Sequence, residues 1–154
     1  MRNEERGRYR QLSVLLMSAL LTACSVSVRP IYKEQEKKTA ESAIEQLHER
    51  MNAEQYEAIY EDAHPQFKAI TPKDEAIQAM RQTRERTGKI IQVTEHWVNY
   101  IMGDPVPVRA IYNIKGERGE FNEWIALVIS ENGERALITQ YQIFPGSSPR
   151  PDIE

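Results

Sequence analysis

The stretch KIIQVTEHWVNYIM (residues 89–102) decides how the rest of the chain is read. β-Branched and aromatic residues dominate it, neither glycine nor proline interrupts it, and its pattern has the two-residue period of a strand. Just before it, TPKDEAIQAMRQTRERT (residues 71–87) places Ala76, Ile77 and Met80 on one face at helical spacing. Gly88 separates the two periods, as glycine does at helix ends. The chain therefore changes from helix to sheet at residue 88.

Reading outward toward the C-terminus, Gly103-Asp104-Pro105 closes the strand. VPVRAIYNI (residues 106–114) is a second strand, with Val106, Val108, Ala110, Tyr112 and Ile114 on one side. KGERG is a turn, EFNEWIALVIS (residues 120–130) a third strand, and RALITQYQIF (residues 135–144) a fourth. Asn132-Gly133 between the last two is a strong hairpin signal. Read as a two-residue turn, it pairs Glu131 with Glu134, Ile129 with Ala136, Ile125 with Gln140 and Trp124 with Tyr141. One face then carries Phe121, Glu123, Ile125, Gln140 and Gln142. The other carries Trp124, Ala126, Leu137, Tyr141 and Ile143. Both faces are largely apolar, so the face away from the helices needs cover of its own. Trp124, Leu137, Tyr141 and Ile143 are the interface residues this register predicts.

Toward the N-terminus, EQEKKTAESAIEQLHERM (residues 34–51) repeats Ala40, Ala43/Ile44, Leu47 and Met51 on one stripe of an amphipathic helix. His48, among Glu45, Glu49 and Arg50, is assigned to its solvated side. Asn52 is the expected N-cap of a second helix whose apolar stripe is Tyr56, Ile59 and Tyr60. His64-Pro65 ends that helix, leaving Phe67 and Ile70 in a connection. Thr71, Pro72 and Asp74 supply the start signals of the third helix. Three helices followed by four antiparallel strands make an α+β domain over residues 34–144. Residues 145–154, PGSSPRPDIE, form a tail that contributes no core.

The totals narrow the function classes. With 154 residues, a formal charge of -3 and a sequence pI of about 5.7, the chain lacks the basic surface of a nucleic-acid binder. A single cysteine excludes an internal disulfide and a multi-cysteine zinc site. His48, His64 and His96 are scattered, and no Gly-rich phosphate loop precedes a helix. Neither a metal nor a cofactor is implied. No catalytic residue is assigned.

The first residues carry a different message. MRNEERGRYRQ supplies Arg2, Arg6, Arg8 and Arg10, and LSVLLMSALL (residues 12–21) follows as an apolar run. That run is about 10 residues, against the roughly 20 that span a bilayer. A basic start, a short apolar stretch and small residues before a boundary are the parts of a secretory signal. Leu21-Thr22-Ala23-Cys24 resembles the lipobox of bacterial lipoproteins. The resemblance implies cleavage between Ala23 and Cys24, lipid attachment to the Cys24 thiol, and membrane anchoring by the acyl chains. It divides the chain into a signal peptide (residues 1–23), a lipidated tether (residues 24–33) and the domain. Ser25, where an aspartate would favour inner-membrane retention in enteric-type lipoproteins, implies an outer-membrane lipoprotein facing the periplasm if the source has two membranes.

The domain also resembles the nuclear-transport-factor-2-like (cystatin-like cone) superfamily. The resemblance rests on YEAIYEDAHPQF, on the TPKDEAIQAMRQTRERTGKI transition with its Arg86-Thr87-Gly88, and on the closing Asn-Gly hairpin with TQYQIF. It implies helices packed on a curved four-stranded antiparallel sheet, with a cone pocket and frequent homodimerisation through the sheet. In that pocket Glu123, Gln140 and Gln142 would be the polar groups, and His96 the histidine best placed beside them. The expected function is a non-enzymatic binding or assembly module of the cell envelope. Its partners would be the membrane, through lipid on Cys24, and a second copy or another envelope protein. A small-ligand carrier or an enzyme using the pocket is the alternative.

Overall fold

A computed structural model describes residues 34–146. Cys24, Ala23 and the tether lie outside the described residues, as does all but the start of the C-terminal tail. The chain is an α+β fold with its helices N-terminal to the sheet. Four helices come first: α1 (Glu34–Asn52), α2 (Tyr56–Asp62), α3 (Pro65–Ile70) and α4 (Lys73–Thr87). Four strands follow: β1 (Ile90–Tyr100), β2 (Val106–Gly116), β3 (Gly119–Ile129) and β4 (Ala136–Pro145). They form one open antiparallel sheet in the order β1-β2-β3-β4, so β1 and β4 are its edges.

The helices bury the stripes that their spacing predicts. Ala40, Ile44, Leu47 and Met51 of α1, Tyr56, Ile59 and Tyr60 of α2, and Ala76 and Met80 of α4 all enter one core. From the sheet, alternate residues meet them: Val108, Ala110, Tyr112 and Ile114 of β2, with Phe121, Ile125, Leu127 and Ile129 of β3. α1 starts with Glu34 and Glu36 and ends with Arg50, and α4 starts with Asp74 and Glu75 and ends with Arg84 and Arg86. Both arrangements complement the helix dipole.

The extra helix, α3, occupies the expected connection around Phe67. Proline stops a helix that precedes it but suits the first turn of one that follows, and Pro65 takes that first position. His64 caps this helix, its Nδ1 accepting from the Gln66 amide at 3.1 Å, while its own amide donates to the Ile138 carbonyl at 2.9 Å. A residue between two helices thus ties both to β4.

The two other expected caps are replaced. Asn52 is the last residue of α1 rather than the cap of α2. Its Nδ2 donates to the Ile90 carbonyl at 2.9 Å and its Oδ1 accepts from the Ile90 amide at 2.8 Å. One side chain thereby satisfies both backbone groups at the start of the edge strand, fixing β1 against the end of α1. Pro72, not Thr71, precedes α4, and no side chain among the described residues caps that helix. Gly88 ends α4 with φ of 70°, a left-handed conformation that glycine adopts without strain. Gly116 lies so close to the Thr87 carbonyl that a Cβ would collide with backbone. The helix-to-sheet junction is packed backbone to backbone.

Three irregularities shape the sheet. Ladder shifts between Ile90 and Gln92 and between Glu95 and Trp97 leave Ile91 and His96 as extra residues in β1. A third shift lies opposite Ala126 and Leu127, where β4 carries Thr139 as the extra residue. Each bulge reverses which face the following residues occupy.

Candidate functional site

The Thr139 bulge corrects the expected pairing in the last hairpin. Ser130 and Arg135 close its loop, with the Ser130 amide donating to the Arg135 carbonyl at 2.8 Å and the Gly133 amide to the Ser130 carbonyl at 2.7 Å. Four residues therefore lie within the turn instead of two. The longer loop keeps the expected register, and Ile129 faces Ala136. Beyond Thr139 the register moves by one residue. Ile125 pairs with Tyr141, not Gln140, and Trp124 with Gln142, not Tyr141.

This slip exchanges pocket and interface residues. Gln140 and Gln142 are exposed on the outer side of the sheet and do not join Glu123. Tyr141 and Ile143 take the inner positions instead, with Ile143 directly opposite Glu123. Trp124 and Leu137 remain on the outer side. The expected four-residue interface is therefore split between two faces. His96 is the exposed extra residue of a β1 bulge and does not approach Glu123.

Glu123 is where a pocket residue was expected, but it is wholly enclosed, with 0% exposure. Its partner is His48, whose Nε2 lies 2.6 Å from Glu123 Oε2. The charged neighbours of His48 in the sequence point to the solvated side of α1, yet it is only 8% exposed. The signal was present in its position, four residues after Ile44 and three before Met51, on the buried stripe of the helix. A buried carboxylate needs such a partner, because its desolvation is otherwise uncompensated.

Two tyrosines surround this pair. Tyr141 has its hydroxyl buried beside Glu123, and neither that hydroxyl nor Glu123 Oε1 has a well-aligned hydrogen-bond partner among the described residues. Burial, with the Glu123 carboxylate next to it, holds the Tyr141 hydroxyl well above its ordinary pKa. Tyr112 stacks edge-on against His48, with ring centroids 6.3 Å apart. Its hydroxyl is likewise pushed up, first by burial and then by the Glu95 carboxylate. Both tyrosines are neutral groups throughout the physiological range.

Above His48 and Tyr112 a groove of about 410 Å³ opens between α1 and the edge strand β1. Helical spacing builds one wall in two rails: Ile44, His48 and Asn52 form the inner one, and Glu41, Glu45 and Glu49 the outer one. Ile91, Val93 and Glu95 of β1 form the opposite wall. Ile91 is 63% exposed, an unusual cost for a large apolar side chain on an edge strand. The volume is within the range of small-molecule sites.

Comparison with family models and with curated proteins finds no match to the chain. The functional reading therefore stands on this geometry. Chemically, a histidine oriented by a carboxylate is a general-base arrangement when the imidazole reaches a substrate. Here the carboxylate is sealed beneath α1 and the imidazole is nearly so. The groove itself offers apolar walls, an acidic rail and one phenol, which is the composition of a binding surface.

No helix among the described residues is long and apolar enough to cross a membrane.

Proposed function

We propose that this chain is a lipid-anchored protein of the bacterial cell envelope whose domain is a non-enzymatic binding module, with the α1–β1 groove as its working surface. The observation that carries the reading is the groove itself. It is built on a rigid floor, the His48–Glu123 pair, and flanked by apolar side chains that the fold leaves uncovered. The lipobox-like Leu21-Thr22-Ala23-Cys24 supports the anchor, and the short tether would hold the groove close to the membrane surface.

Self-association through the outer sheet face is a second reading with its own support. Trp97 pairs with Ile111 and Ile111 with Trp124, forming an apolar row across three strands. The Trp124 Nε1 donor is buried without an acceptor among the described residues.

One set of photocrosslinking experiments in cells tests both readings. A photoreactive residue replacing Ile91 should give a discrete product, and one replacing Ile70, an exposed position on α3, should give none. Capture of a second copy from position Trp97, with no product from Ile91, would favour self-association over the groove. The anchor has a separate test: Cys24→Ala should move the chain out of the membrane fraction. Unchanged processing together with unchanged membrane fractionation of that variant would exclude lipid on Cys24 as the anchor.

A further inference from the structure

Four carboxylates rim the groove, and His48, paired with Glu123 beneath it, is the one basic side chain in its lining among the described residues. Glu41, Glu45 and Glu49 line its helical rim and Glu95 its strand rim, with neither lysine nor arginine among the described residues that line it. Glu41 lies 3.8 Å from Lys37, a long exposed pair, whereas Glu45, Glu49 and Glu95 form no ion pair among the described residues. An acidic rim by itself is ordinary surface. A second feature sets this one apart: Tyr112 is 7% exposed and lines the groove, and its hydroxyl has no hydrogen-bond partner among the described residues. It is not one of the sealed polar atoms of the core, and the groove is the cavity that Tyr112 lines. A nearly buried phenol that keeps one open side offers a ligand a fixed, preorganised polar group there.

These features define complementary chemistry. A ligand for this groove needs a donor for the Tyr112 oxygen, positive charge for the carboxylates, and an apolar body for Ile44, Ile91 and Val93. We infer that the α1–β1 groove binds a small organic cation, an ammonium group on a short apolar body, with its charged end between Glu95 and the Tyr112 hydroxyl. This assignment rests on the reading of the groove as a binding surface and names the class of its ligand. The ammonium donates to Tyr112 and Glu95, while the opposite rail of Glu45 and Glu49 adds longer-range attraction that salt would screen. The hydrocarbon body displaces water from Ile91 and Val93.

Titration calorimetry on the full chain in phospholipid nanodiscs, with empty nanodiscs as the blank, tests this directly. The probes are hexylammonium, hexanol and hexanoate, which share one apolar body and differ in charge. Hexylammonium should bind at least about tenfold more tightly than hexanol, since a hydrogen bond to a charged group is worth at least that factor. Hexanoate should not bind. Tyr112→Phe keeps the ring and its contact with His48, and should weaken hexylammonium about tenfold and hexanol by a smaller factor. Glu95→Gln should do the same, and a control at Glu57→Gln on α2 should have no effect. Equal binding of all three probes would overturn the cation assignment while leaving an apolar binding groove. Binding of none of them would overturn both.

Discussion

His48→Ala is expected to lower the unfolding free energy by about 3–5 kcal/mol, the cost of leaving a buried carboxylate without its partner. Glu123 has nowhere to turn. It is enclosed on the inner face of β3 between Phe121 and Ile125, with Ile143 opposite, and no water-exposed rotamer is open to a residue of zero exposure. A double substitution separates the loss of the pair from the loss of the helix side chain. His48→Leu with Glu123→Leu replaces both polar groups by apolar ones of comparable size, and should recover most of the stability lost in either single variant. Urea denaturation of the wild type, His48→Leu, Glu123→Leu and the double variant gives the coupling directly. A cost below about 1 kcal/mol for His48→Ala would mean that the pair does not hold α1 to the sheet.

The second large effect is expected at Ile125. It sits at 0% exposure in the centre of β3, paired with Ala110 on one side and Tyr141 on the other. Truncation to alanine removes its contacts and leaves a cavity beneath α1 that neighbouring strands cannot collapse into. A loss of about 4 kcal/mol follows, in the upper part of the range for such changes. Ile70→Ala is the matched control, because Ile70 is 70% exposed on α3 and should cost less than about 0.5 kcal/mol. Similar midpoints for the two variants would place the core elsewhere.

Much of the fold is legible in the sequence because each element carries a periodic signal. The stripes of α1, α2 and α4 and the change of period at Gly88 set the architecture, and Asn132-Gly133 sets the hairpin register as far as Leu127. The site is less legible, and each failure has a physical cause. The Thr139 bulge leaves no local mark, since threonine is an ordinary strand residue, yet one extra residue carries Tyr141 inward and Gln140 outward. Pro65 was ambiguous because the same ring that ends one helix can begin another. His48 was legible in position but not in type: charged neighbours suggested solvent, while the spacing from Ile44 to Met51 placed it inside. The groove lacks a sequence signature altogether, since α1 and β1 approach only in the folded chain.

Selective ¹⁵N labelling of tyrosine, valine and tryptophan in the full chain, held in phospholipid nanodiscs, tests the binding role most directly. Spectra recorded before and after adding the small-molecule fraction of bacterial envelopes should show the Val93 and Tyr112 amides moving together, while the indole signals of Trp97 and Trp124 stay in place. Unmoved Val93 and Tyr112 signals, or shifts confined to the two indoles, would contradict the groove as the working surface of this protein.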